Sequence, residues 1–312
     1  MATTECQENA TIVTEFILLG LQIIPELKNF LFLLFLTIYL VTLAGNILIL
    51  VTVSASDHLK SPMFFFLGNF SFLEIWYSTC SIPSMLSGLL TDVSLISFGG
   101  CILQLYFFSS FGSSECFLLT VMAYDRYTAI CFPLHYSTLM DKRLCLNLVA
   151  CAWVFGFILP LVTVIMLCRL QFSGDKEIDN FICEFRPILN AACSKTSFIE
   201  VHVFIMSFVV LSIPFLLIVL SYAYIMSAIL KIPSATGRHK AFSTCSSHLA
   251  VVSTYFGPLI AIYATPTESS RNLSKVLSLL YSVATPLLNP IIYTLRNKEI
   301  RAAWRKALLK MS

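Results

Sequence analysis

Seven long apolar runs divide this chain, near Asn29 to Ser54, Pro62 to Leu90, Cys101 to Tyr127, Leu144 to Leu167, Ser197 to Leu230, Phe242 to Ala264 and Lys275 to Leu295. Each is at least as long as the roughly 20 residues that a helix needs to cross the hydrocarbon layer of a bilayer. The separators are short and polar, as in "SDHLKSP" and "KIPSATGRHK", and read as turns. The pattern predicts an all-α membrane protein: a seven-transmembrane helix bundle spanning 29–295, preceded by an extracellular segment 1–28 and followed by a cytoplasmic stretch 296–312. In that last stretch Ile300, Trp304, Ala307, Leu308 and Met311 share one helical face and Arg301, Arg305, Lys306 and Lys310 take the rest, the pattern of an amphipathic helix lying on a membrane surface.

Composition agrees with lipid as the solvent. The chain is 57% hydrophobic and 12% charged, with a mean hydropathy of +0.84, about half the charge of an average soluble domain. With the amino terminus outside, the segments on the inner side hold 13 Lys and Arg and the outer ones 7, which is the orientation that basic residues favour. No basic leader precedes the first run, so that run is expected to act as an uncleaved membrane signal. Asn9-Ala10-Thr11 is a glycosylation sequon on the outer side. The expected location is the plasma membrane, with membrane lipid as a partner and no nucleic acid.

Eleven cysteines are present. Those inside spans, Cys80, Cys116, Cys131, Cys145, Cys151 and Cys245, read as small apolar packing residues. Cys101, Cys168, Cys183 and Cys193 fall on the outer side, where a disulfide can form. Cys101 with Cys183 is the first pairing to consider; spacing does not decide what Cys168 and Cys193 do.

The third run carries the chemistry. Stepping back from Arg126 by sevens reaches Leu119, Gly112 and Leu105; the companion series is Met122, Glu115, Phe108 and Cys101. At about 100° per residue these share one stripe. The stripe should face the bundle interior, because a charge toward lipid costs at least about 2.5 kcal/mol. Glu74 in the second run is another intramembrane acid. With Asn46 and Asn289 it could join Glu115 in a sodium-type cation site or a protonation switch, since two close carboxylates resist joint ionisation; the plainer reading is two protonated, hydrogen-bonded acids. Pro160, Pro214, Pro258, Pro286 and Pro290 interrupt later helices, and "PLLNPIIY" sets an amide beside a kink, a candidate hinge. No inverted repeat of the transporter kind is present. Cys245 and His248 do not suffice for a metal site, and no enzyme activity is expected.

Several long motifs, "PMFFFLGNFSFLE" from Pro62, "MAYDRYTAICFPLHY" from Met122, "KAFSTCSSHL" from Lys240 and "PLLNPIIYTLRNKE" from Pro286, together with Gly45-Asn46 and Ser221-Tyr222, occur in order along nearly the whole chain. By them the chain resembles the olfactory receptors of the tetrapod type, within the rhodopsin-like G-protein-coupled receptors. The resemblance implies a receptor for small volatile organic molecules that activates a stimulatory olfactory-type G protein and raises cyclic AMP. The alternative is a non-olfactory rhodopsin-like receptor for a metabolite, amine or peptide. It implies that Asp125 neutralises Arg126 at rest, within Asp125-Arg126-Tyr127, and that activation frees Arg126 toward Tyr222, Tyr293 and the G protein, with Asn289-Pro290 as part of the switch. It also implies the Cys101–Cys183 disulfide and a sodium-type site at Glu74 and Glu115.

The ligand positions that the resemblance carries over are Phe108, Ser109, Gly112 and Ser113 in the third span, Met206, Ser207 and Val210 in the fifth, Leu259, Ile260 and Tyr263 in the sixth, and Ser282 in the seventh. His202 is a further polar candidate. Phe108 offers no carboxylate to pair an ammonium. Two departures from the family pattern stand out. Ser173 in "LQFS" replaces a cysteine, which leaves Cys193 without its usual partner, and "TYFG" places Tyr255 before Phe256 where the family commonly has the reverse order.

Overall fold

The structure is a computed structural model, and it describes residues 13–20, 24–56, 59–91, 94–172, 177–264, 271–296 and 300–302. Among the described residues seven long helices form the bundle: α1 (Pro25–Ala55), α2 (Pro62–Leu90), α3 (Phe98–Cys131), α4 (Lys142–Leu167), α5 (Ser197–Leu230), α6 (Ala235–Ala264), and α7, which runs through Arg271–Leu279, a π-helical turn Leu280–Ala284 and Thr285–Arg296. Most overrun the apolar segments read from the sequence, because the hydrophobic boundary ends at the hydrocarbon layer while backbone hydrogen bonding continues past it. Asp141 caps α4 by accepting from the Leu144 N–H at 2.7 Å, and Ser97 caps α3 through the Gly100 N–H, each meeting a donor that the first turn leaves free.

Helix α3 is the central post, packed against α2, α4, α5 and α6. Its most apolar stretch is 67% buried, against 17% for α1 and for α5. The latter two turn residues such as Leu33, Phe204, Phe208 and Leu216 outward, an apolar surface suited to lipid and unsuited to water. Every member of the predicted α3 stripe is buried or half-buried. Helix contact in lipid depends on close packing more than on water exclusion, and two glycines provide it. A Cβ on Gly45 would come within 3.0 Å of Pro290 Cβ, so α1 lies hard against the kink of α7; a Cβ on Gly156 would fall 2.9 Å from Ser114 Cα, so α4 lies hard against α3.

Three short strands, which the hydrophobic pattern does not predict, brace one end of the bundle. β1 (Glu15–Leu18) pairs antiparallel with β2 (Ser94–Ser97) and parallel with β3 (Glu177–Ile178). Phe16 is fully buried, and its ring meets Phe98 at 5.8 Å and Phe172 at 5.5 Å. The Cys101–Cys183 disulfide lies at the same end and shares a core with Phe16, Phe172 and Ile188. At the opposite end Ile300, fully buried, joins Ile49, Leu59, Phe64 and Leu67. The amphipathic pattern from Trp304 to Met311 and the sequon at Asn9 lie outside the described residues.

Candidate functional site

The last turns of α3 set Asp125 inward, 1% exposed, with its carboxylate 3.2 Å from the Arg126 guanidinium. Tyr136, on the helical turn Tyr136–Leu139 that follows α3, donates its hydroxyl to the same carboxylate at 2.6 Å. Burial first, then the hydrogen bond to Asp125, pushes the Tyr136 phenol well above its ordinary value, so it stays a donor. Arg126 is thus held by its neighbour. Tyr222 of α5 engages His248 of α6 at 2.8 Å, while the Tyr293 ring stands edge-on to Phe70 at 6.2 Å. Asp125 and Arg126 meet as expected, and Tyr222 is committed to His248, which the sequence offered only as half of an insufficient metal pair. His248 is 2% exposed; a buried imidazole one helix away from a buried tyrosine was the available signal.

Midway along the bundle Glu74 of α2, Glu115 of α3 and Asn289 of α7 converge, and Asn46 of α1 is buried as well. Asn46, Glu74, Glu115 and Asn289 are each at most 1% exposed. The Asn289 amide donates to Glu74 Oε1, tying α7 to α2, and Glu115 is near enough to Glu74 for their charges to interact. Asn46 Oδ1, Glu74 Oε2, both Glu115 carboxylate oxygens and Asn289 Oδ1 have no protein hydrogen-bond donor. Buried acceptors need a donor or a cation, and an all-oxygen donor set of two carboxylates and the Asn289 amide suits a hard cation. Among the described residues no group of three or more His, Cys, Asp or Glu is placed to hold a metal ion.

Toward the disulfide end the carried-over ligand positions divide. Ser207, Leu259 and Ile260 line a groove-like cavity of about 330 Å³ between α5 and α6, together with Leu211, Ser212, Phe215 and Phe256 and with the outward-facing Phe204 and Phe208, so that it opens on the outer face of the bundle. Phe108 lies on the other side of α3, stacked on Tyr77 at 4.8 Å and 6.1 Å from Tyr281. Gly112 presents its carbonyl to the Tyr255 hydroxyl at 2.8 Å, and Ser113 is buried. Val210 is buried and Ser109 and Met206 are half-buried; none of the three borders the cavity. Ser282 donates to the Ser278 carbonyl within α7. His202 bonds Thr163 of α4 at 3.2 Å, away from the cavity. The backbone of Tyr263 lies in α6 and its side chain is outside the described residues.

The order Tyr255-Phe256 has a visible effect: Tyr255 turns to α3, where it also meets Cys116 Sγ at 3.5 Å, and Phe256 turns to Phe215 of α5 at 5.4 Å. Phe256 is therefore the shared wall between the cavity and the interior. Over the bundle mouth, Glu184 accepts from Tyr281 of α7 at 2.7 Å and from Asn180 at 2.9 Å. Burial raises its carboxyl above the ordinary range, against those hydrogen bonds and the nearby Arg186 charge. Sequence reasoning missed Glu184, since one acid in a loop carries no periodic signal.

A bundle of apolar helices with a paired arginine at one end, a polar centre and an apolar cavity toward the other defines a membrane receptor. Comparison with known proteins narrows the class. A family model described as olfactory receptor matches residues 35–311. Human olfactory receptor 11G2 is 48% identical over 299 residues, 96% of this chain and 87% of that protein. Human olfactory receptor 11A1 is 48% identical over 297 residues, 95% of this chain and 94% of that protein. Rat olfactory receptor 1468 is 42% identical over 305 residues, 97% of each. The chain belongs to the olfactory receptor family: a multi-pass plasma-membrane G-protein-coupled receptor and not an enzyme, with a small-molecule ligand and a G protein as its general partners.

Proposed function

We propose that this receptor takes small, volatile, largely apolar molecules carrying one polar group, and that it signals through a stimulatory olfactory-type G protein to raise cyclic AMP. The observation that carries the reading is the cavity between α5 and α6, whose volume of about 330 Å³ lies at the small end of ligand sites. Its lining is aromatic and aliphatic apart from the hydroxyls of Ser207 and Ser212, and it offers no charge to an amine or a peptide terminus. The disulfide end faces outward and the Arg126 end faces the cytoplasm, as the asymmetry of basic residues supports. Residues 1–28 are then extracellular, with Asn9 available for glycosylation, and 296–312 form the cytoplasmic amphipathic helix.

In this reading the pairs Arg126–Asp125 and Tyr222–His248 belong to the resting arrangement. A ligand that prefers a different packing of α5 and α6 shifts the population, releasing Arg126 and Tyr222 toward each other and toward the G protein. Glu74 and Glu115, with Asn289, would hold a sodium-type cation whose charge lets both acids ionise. The test is a cyclic AMP assay in cells expressing the receptor and the stimulatory olfactory G protein, across a broad odorant panel. A response abolished by widening the cavity lining, as in Phe256→Ala, supports the assignment. Responses to amines or peptides and to no apolar volatile would overturn it.

A further inference from the structure

The cavity between α5 and α6 is open on the side that faces lipid. Phe204, Phe208 and Ile260 on its rim are exposed, and Ile205, Ile213 and Leu216 of α5 carry the same apolar surface on around them. Ser207, Ser212 and Phe215 are half-buried, and the buried Phe256 closes the groove toward the interior. The groove follows α5 from Phe204 to Phe215, about 16 Å, and begins about two turns inside a helix that starts at Ser197. An opening at that height on an apolar surface meets acyl chains and not water.

The mouth at the disulfide end is filled. Among the described residues of the loop between α4 and α5, Phe181 and Ile182 are buried and belong to the same core as Tyr77, Phe108 and Tyr281. Contacts to three helices fasten this loop. Asp179 accepts from Lys275 of α7 at 2.5 Å and Glu184 accepts from Tyr281 of α7 at 2.7 Å. The Cys183 N–H donates to the Gln104 carbonyl of α3 at 3.1 Å, and the amide of the same side chain donates to the Cys80 carbonyl of α2 at 2.9 Å. The Cys101–Cys183 bond adds a covalent tie to α3. Passage through the mouth has to break several of these together, whereas exposed side chains such as Phe204 and Phe208 change rotamer within nanoseconds.

We infer that the α5–α6 groove is filled from the bilayer: a small apolar molecule dissolved in lipid passes the Phe204 and Phe208 rings and sets its one polar group on Ser207 or Ser212, while the loop over the mouth stays closed. The inference rests on the reading of this cavity as the ligand site. Transfer of each methylene from water into lipid is favourable, so molecules of that class are already concentrated on the open side. Their polar group is unpaired among acyl chains, which is costly. The two serines supply the partner that lipid lacks, and an acyl chain, with no such group, gains nothing from them.

The probe is octanol carrying a diazirine, added to the full-length receptor in phosphatidylcholine nanodiscs, photolysed and mapped by mass spectrometry. The expected result is adducts on Phe204, Phe208 or Phe215 that excess octanol suppresses severalfold, while adducts on the lipid-facing Leu33 of α1 persist. Adducts confined to Tyr77, Phe108 or Tyr281, or groove adducts suppressed no more than those on Leu33, overturn the inference. The route is read from the initial rate of groove labelling after mixing. Asp179→Asn with Tyr281→Phe, which loosens the loop, should leave that rate unchanged, and Phe204→Trp with Phe208→Trp, which crowds the rim, should slow it severalfold. A faster rate in the loosened variant, or an unchanged rate in the crowded one, assigns entry to the mouth and overturns the inference. Because the adduct map is read on the wild-type receptor, a variant that fails to fold leaves the test standing. A silent odorant panel with the groove adducts present would refute the signalling assignment alone, and a response to volatiles without them would refute this inference alone.

Discussion

Substituting Gly156 with alanine puts a methyl where α3 and α4 leave no room. The new Cβ would stand 1.9 Å from Ser114 Oγ, 2.9 Å from Ser114 Cβ and 2.9 Å from Ser114 Cα. The hydroxyl can rotate away, but Cα is backbone, so relief requires the helices to part by several tenths of an ångström. A gap of that size forfeits about a quarter or more of the dispersion contact along the seam, and overpacking of this kind typically costs about 1–3 kcal/mol. Since one or two kcal/mol changes a folded population by a factor of about 5–30, Gly156→Ala should lower surface display severalfold and reduce the thermal midpoint of the purified receptor. Ser114 adjoins Glu115, so the displaced α3 also disturbs the polar centre. Adding Ser114→Gly removes Cβ and Oγ while Cα remains, and should restore most but not all of the loss. Display and melting unchanged in Gly156→Ala, or no recovery in the double variant, would refute the packing argument.

Arg126→Ala should leave surface display and ligand binding intact and abolish the cyclic AMP response; unchanged signalling would remove Arg126 from the switch. Asn289→Ala takes from Glu74 its protein donor, a hydrogen bond to a charged group worth about 1.5–3 kcal/mol. Replacing choline with sodium should raise the melting temperature of the wild-type receptor and have no effect on Asn289→Ala or Glu115→Gln; equal sodium effects in all three would argue against a cation there. Glu184 has its carboxyl raised by burial, so its folded state takes up a proton more readily than the unfolded chain. Its stabilising contribution is full below the ordinary carboxylate range and is lost as pH rises through the raised value. Melting followed over that interval should fall with pH in the wild type and stay flatter in Glu184→Gln; parallel curves would show that the loop contact with Tyr281 does not depend on the proton.

The helical architecture was legible because its cause is local. A helix in lipid satisfies its own backbone groups, so length and apolarity of each run suffice to place it, and the 3.6-residue period alone puts Cys101, Phe108, Glu115 and Met122 on the inner face of α3. Two intramembrane acids and an adjacent Asp125-Arg126 pair were visible for the same reason, since charge is rare in such runs. The sheet was not legible: β1 is held by β2 and β3, strands about 80 and 160 residues away in sequence and too short for a periodic signal.

Partner choice belonged to the tertiary structure throughout. Tyr222 reaches His248, Glu184 reaches Tyr281 and Tyr255 reaches Gly112 only once the rotation of α5, α6 and α7 is fixed, and rotation is set by packing at crossings such as Gly45 with Pro290 and Gly156 with Ser114. The same rotations sent His202 toward Thr163 and Phe108 toward Tyr77, leaving Ser207, Leu259 and Ile260 at the cavity. The sequence alone determined which residues are buried in a membrane and must find polar company. Which company they find depends on how neighbouring helices cross, and no local pattern encodes that.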